Sequence, residues 1–120
     1  MTAEHAVQAN TSGTCLIVQV SGEMDYQSVP FFRERLLDEL TRSQGDVVLD
    51  LSAVPFCDSA GLNVLLRIWR KATEAGSVVV LACVPANLQR MLSMTGMDSV
   101  LRVYATVADA EGGLAVSGGA

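Results

Sequence analysis

The residues with the most chemistry to offer stand together at Asp58-Ser59-Ala60-Gly61, inside the stretch VPFCDSAGLNVLLRIWRK. An aspartate just before a helix accepts backbone N–H bonds as an N-cap. A serine at the first helical position, beside only Ala60 and Gly61, presents an unobstructed hydroxyl. That hydroxyl is either part of an ordinary helix start or an acceptor for a modifying group. It is poorly equipped for catalysis. The sole histidine, His5, lies in the N-terminal stretch, no lysine is placed nearby, and Ser-Ala-Gly is not the nucleophile elbow of hydrolases. Asp58 also fails as the phospho-acceptor of a response-regulator receiver. No acidic pair follows the first strand and no lysine follows a late one; Asp50 falls inside a strand and Asp25 before a helix. The glycines at 22, 61, 76 and 96 do not make a phosphate-binding loop.

The elements that must position this step follow from periodicity. Residues 4–9 read as a short edge strand, NTSG at 10–13 as a turn, and TCLIVQV at 14–20 as a strand. Ser28 is an N-cap candidate with Pro30 in the first turn behind it, and Val29, Phe32, Leu36, Leu37 and Leu40 make the inner stripe of a helix that Gly45 ends. DVVLDL at 46–51 is a buried strand. The helix over 59–75 turns Leu62, Leu65, Leu66, Trp69 and Ala72 inward, with Val64 and Ile68 widening the stripe. Its other side carries Ser59, Asn63, Arg67, Arg70 and Glu74, so Ser59 heads the polar face. SVVVLAC at 77–83, a helix over 85–95, a strand over 99–104 and a terminal helix over 105–112 complete the chain, with SGGA as a loose end. This alternation predicts an α/β fold: a mixed, mostly parallel sheet of about five strands, with an N-terminal hairpin and about four helices.

A chain of 120 residues, half of them hydrophobic, builds one domain. Its net charge of -5 argues against direct nucleic-acid binding and against an anionic membrane surface. No apolar run approaches the roughly 18 residues of a membrane span, and the first ten residues have no signal core. The three cysteines, Cys15, Cys57 and Cys83, include no C-x-x-C pair, so neither a disulfide framework nor a structural zinc site is expected. Reduced cysteines point to the cytoplasm. Cys57, between Val54, Phe56 and Asp58, reads as a buried structural thiol. Trp69 reads as packing, and Met91, Met94 and Met97 as core or cap contacts. Phe31 falls opposite the first helix's apolar stripe and is either covered by a loop or an exposed contact.

On periodicity alone, the simpler account of Asp58-Ser59 is a capping pair on a solvated helix. A resemblance adds to it. LDLSAVPFCDSAGLNVLLR resembles the signature of STAS domains, above all the bacterial anti-sigma factor antagonists. SGEMDYQSVP resembles the family's step between second strand and first helix, and VPANLQRMLSMTGMDSVLRVY its third helix and last strand. The resemblance implies a STAS-like domain over 1–112, with 113–120 as a loose tail. It implies a binding protein rather than an enzyme, with no cofactor and no metal. It also implies a cycle. The unphosphorylated protein binds an anti-sigma factor serine kinase and frees a sigma factor; phosphorylation at Ser59 ends that binding; a serine phosphatase reverses it. Asp25 and Asp58 match acidic positions around that serine. The polar face of the helix, extended below Ser59 by Asn63, Arg67 and Arg70, is a candidate docking surface, with an ordinary solvated face the simpler reading of Arg70. Asp25, Asp58, Ser59, Ala60, Gly61, Asn63 and Arg67 form the expected partner face. Many relatives carry a second Ser or Thr where this chain has Ala60, which leaves Ser59 as the one acceptor of the step. STAS domains also serve as non-switched subunits of transport or scaffold complexes, the alternative reading. Nucleotide binding has some family support, but nothing in the sequence places a base or a phosphate.

Overall fold

The computed structural model describes residues 5–13, 15–43 and 45–118. The elements run β1 (Ala6–Ser12), β2 (Cys15–Ser21), α1 (Val29–Arg42), β3 (Asp46–Ala53), α2 (Ser59–Glu74), β4 (Val79–Ala82), α3 (Ala86–Thr95), a 3-10 turn (Met97–Ser99), β5 (Val103–Tyr104) and α4 (Val107–Gly118). One five-stranded sheet has the order β1-β2-β3-β4-β5; β1 is antiparallel to β2 and the other pairs are parallel. The mixed α/β sheet with its opening hairpin is therefore as the sequence predicts.

Period-2 alternation divides the strands between two cores. Val18, Val20, Val47, Leu49, Leu51, Val79 and Leu81 face Phe32 and Leu36 of α1, Leu62, Leu65 and Ile68 of α2, and Leu88 and Leu92 of α3. Val48, Val80 and Ala82 point the other way, to Ala110 and Leu114 of α4. Strands that follow one another in order, joined by right-handed crossovers, leave all three crossover helices on one face. Trp69 packs against the larger core, as expected.

The differences from expectation have local causes. β1 absorbs Asn10–Ser12, because Ser12 pairs with Cys15 and Gly13 adopts the left-handed conformation at φ 60°. Thr14, expected to open β2, lies outside the described residues. The strand expected over 99–104 shrinks to Val103–Tyr104. Gly96 stops α3 in the left-handed conformation, and the amides of Ser99 and Val100 bond back to Gly96 and Met97 instead of to the sheet. The terminal helix does not stop at 112. Among the residues expected as a loose tail, 113–118 are helical and Leu114 is buried; residues 119–120 lie outside the described residues. Met94 is not the core or cap contact expected: it is 79% exposed. Phe56 is also exposed, at 45%, although Cys57 beside it is buried. Residue type biases burial without fixing it.

Candidate functional site

Asp58 closes the loop after β3 in extended backbone (φ -91°, ψ -173°), the conformation an N-cap requires. Its Oδ1 accepts the Gly61 amide at 3.0 Å. Its Oδ2 accepts the Tyr26 amide at 3.2 Å, a bond that spacing along the chain does not suggest. One carboxylate thus caps α2 and ties down the loop that leads into α1. That loop is bound along its length. The Met24 amide donates to Phe56 O at 2.9 Å, the Asp58 amide donates to Met24 O at 3.0 Å, and Met24 pairs with Cys57 in a parallel bridge.

Gly61 explains why the step needs a glycine. It is buried, and a Cβ at this position would stand 2.6 Å from Met24 O and 2.7 Å from Cys57 Sγ. The β2–α1 loop rests on the bare backbone of the first turn of α2. Gly61, expected on the partner face, is buried against Met24 and Cys57.

Asp25 also has a structural task. Its Oδ1 accepts the amides of Gln27 (3.1 Å) and Ser28 (3.0 Å), so it organises the start of α1. Ser28 holds the N-cap position, as expected, but its side chain makes no cap bond. Its buried hydroxyl turns back instead, donating to Glu23 O at 2.8 Å and accepting the Asp25 amide at 3.0 Å. Asn87 was missed by sequence reasoning. From α3 its Nδ2 donates to Cys57 O at 2.6 Å, bracing the loop from the opposite side. No local signal marks a pair 30 residues apart.

On this platform Ser59 is exposed, the first residue of α2, and its hydroxyl makes no hydrogen bond with a described residue. Ala60 and Asp58 beside it are half-buried, and Asn63 and Arg67 are exposed along the same helix face. The structure thus brings Asp58, Ser59, Asn63 and Arg67 onto or beside one face. Asp25 joins them through the bound loop. Tyr26, 72% exposed, and Phe56 flank the step. Phe31 is partly covered: its ring stacks edge-on against Phe32 at 5.2 Å and lies 6.2 Å from His5.

Cys57 is fully buried. Burial, and secondarily the Asp58 charge, pushes its thiol up to about 12. A thiol that stays protonated near neutrality is a poor nucleophile and a poor redox sensor, in keeping with a packing role.

A family model for the STAS domain matches residues 6–110. Among curated relatives, the anti-sigma F factor antagonist of Paenibacillus polymyxa is 30% identical over 90 residues, which span 74% of this chain and 77% of that protein. The crystal structure of an anti-sigma factor antagonist from Mycobacterium paratuberculosis superposes with a TM-score of 0.80 at 30% identity, covering 95% of this chain and 98% of that one. Sulfate transporter 3.2 of Arabidopsis thaliana is 31% identical over 89% of this chain, but the match covers only 19% of the transporter.

Proposed function

The chain belongs to the STAS domain family, and from that membership we propose that it acts as an anti-sigma factor antagonist switched at Ser59. In this reading the unphosphorylated protein binds an anti-sigma factor serine kinase in the cytoplasm and thereby releases a sigma factor. The kinase phosphorylates Ser59 and is let go, and a serine phosphatase restores the first state. Asp25, Asp58, Ser59, Ala60, Asn63 and Arg67 make up the partner face, with Gly61 supporting it from below. The protein works by binding and performs no catalysis.

The observation that carries this reading is the free, exposed hydroxyl of Ser59 on a loop-and-helix platform braced from both sides. Phosphorylation adds about -1.5 to -2 charge and three acceptor oxygens. The first-turn amides of a helix and its dipole accommodate an anion there, so the fold tolerates the change. A partner packed over the same spot must desolvate that charge. An uncompensated charge of this kind costs about 3 kcal/mol, on the order of a hundredfold in affinity. Asp58 beside it adds like-charge repulsion.

The test uses Ser59→Ala and Ser59→Asp baits in host extract. A small ATP-binding kinase retained by the first and lost by the second supports the switch. The similarity to a sulfate transporter favours a second reading, a non-switched subunit of a transport complex. Equal recovery of transport subunits by both baits selects it and leaves Asp58-Ser59 as a helix cap.

A further inference from the structure

The two long helices of the larger face carry their charges differently. On α1, two of the three arginines are paired: Arg35 and Arg42 with Asp38, and Arg42 also with Glu39 at 3.6 Å, while Arg33 is exposed and makes no ion pair with a described residue. On α2, Arg67, Arg70 and Lys71 are all exposed, and none makes an ion pair with a described residue. Glu74 lines the same shallow depression at its far end and lies within ion-pair distance of none of them. Three of the chain's eight basic residues thus stand on one helix face without an ion pair to a described residue, in a protein with 13 acidic ones. At 1.5 Å rise per residue, Arg67 lies about 12 Å along the axis from Ser59, with Asn63 midway, and the three cations span about 6 Å.

We propose that this stripe is a docking site for a short carboxylate-rich segment of the protein partner that engages Ser59; the proposal rests on the reading of Ser59 as a partner contact. The dimensions and surroundings select this occupant. Three cations over about 6 Å match two or three carboxylates of an acidic segment. A nucleic-acid duplex presents a charge about every 1.7 Å over a long lattice and would meet the acidic remainder of this surface, including Glu23, Asp25 and Asp58 at the head of α2. An anionic lipid surface would meet the same repulsion. The placement also gives modification a target on the partner's side. A segment that Arg67 attracts runs along α2 toward Asn63, where a phosphate on Ser59 repels it. Rim charges of this kind act on association rate and salt dependence as well as on affinity.

Two measurements test the site on the full chain. In the first, nitrogen-15-labelled protein is titrated with hexaglutamate at low salt. Amide and arginine Nε shifts confined to α2, lost in an Arg67→Gln/Arg70→Gln/Lys71→Gln variant, are expected. In the second, the affinity of the host's anti-sigma factor kinase is measured for wild type, for that variant, and for a charge-matched Arg33→Gln/Arg42→Gln/Arg90→Gln control. The α2 variant is expected to bind about tenfold more weakly and with a shallower salt dependence, and the control to bind as wild type. An α2 variant that holds the kinase as tightly as wild type overturns the proposal. So does a titration with no α2 shifts, or one in which a short DNA duplex or phosphatidylglycerol vesicles shift the same residues as strongly. If wild type does not bind the kinase, the Ser59 reading fails, and the hexaglutamate titration alone then decides the stripe.

Discussion

Two helices in this protein start near an aspartate and a serine, and the two pairs do opposite things. Before α1 the aspartate stands three residues ahead of the serine. Asp25 takes the Ser28 amide, and the Ser28 hydroxyl is buried and bonded back into the loop. Before α2 the two are adjacent. Asp58 reaches forward to Gly61 and across to Tyr26, and Ser59 is left outside with a free hydroxyl. The same residue types give a locked hydroxyl in one place and an available one in the other. Position decides which: Ser28 still belongs to the loop, where Glu23 O and the Asp25 amide take its hydroxyl, whereas Ser59 is already the first residue of α2 and is exposed.

The contrast is sharpest if the available serine depends on a rigid floor, and the largest expected effect tests that floor. Gly61→Ala drives a methyl group into Met24 O and Cys57 Sγ. It should cost about 3 kcal/mol in urea unfolding, or prevent folding; a wild-type midpoint would show that the loop is free to lift away. Ser28→Ala leaves the Asp25 amide and Glu23 carbonyl without their partner and should cost about 2 kcal/mol. Asp58→Ala removes the cap and the Tyr26 tie together, for about 1–2 kcal/mol by thermal denaturation. Ser59→Ala closes the series with a change below about 0.5 kcal/mol. A cost at Ser59 equal to that at Ser28 would erase the contrast.

Cys57 beneath the step adds a pH test. Its thiol is held up from 9.0 to about 12 in the folded protein. Below pH 9 both states keep the proton. Above it the unfolded thiol ionises while the folded one does not, so this contribution to stability is lost progressively between pH 9 and about 12. Cys57→Ser, followed by urea unfolding across that window, should flatten part of the decline. A thiol-reactive dye at pH 8 should label Cys57 only after denaturation.

Much of this was legible in the sequence. The α2 stripe from Leu62 to Ala72, the Val-rich strands and the Asp58 cap all follow from periodicity and local spacing, which depend on near neighbours. What was not legible is tertiary. Nothing near Asn87 signals a bond to Cys57, and nothing near Tyr26 signals its tie to Asp58. The place of Ser28 at the head of α1 follows from the cap pattern before Val29-Pro30, but the turn of its hydroxyl back to Glu23 O and the Asp25 amide does not. SVLRVY has strand composition over 99–104, yet Gly96 sends the chain into local turn bonds before the strand begins. Gly61 was read as a small residue that clears the way for Ser59. Its stronger reason, the loop lying across it, appears only once the fold brings Met24 there.

The strand order itself has a consequence for how the chain is made. Each strand pairs with the one that follows it in the sequence, so the sheet has the same order in space as in time of synthesis. A strand leaving the ribosome meets its neighbour already formed and waits for no later partner. After the β1–β2 hairpin, closing each further unit spans one helix and two short loops, which keeps the entropy of each closure small. The sheet can therefore extend one unit at a time, until α4 covers its second face.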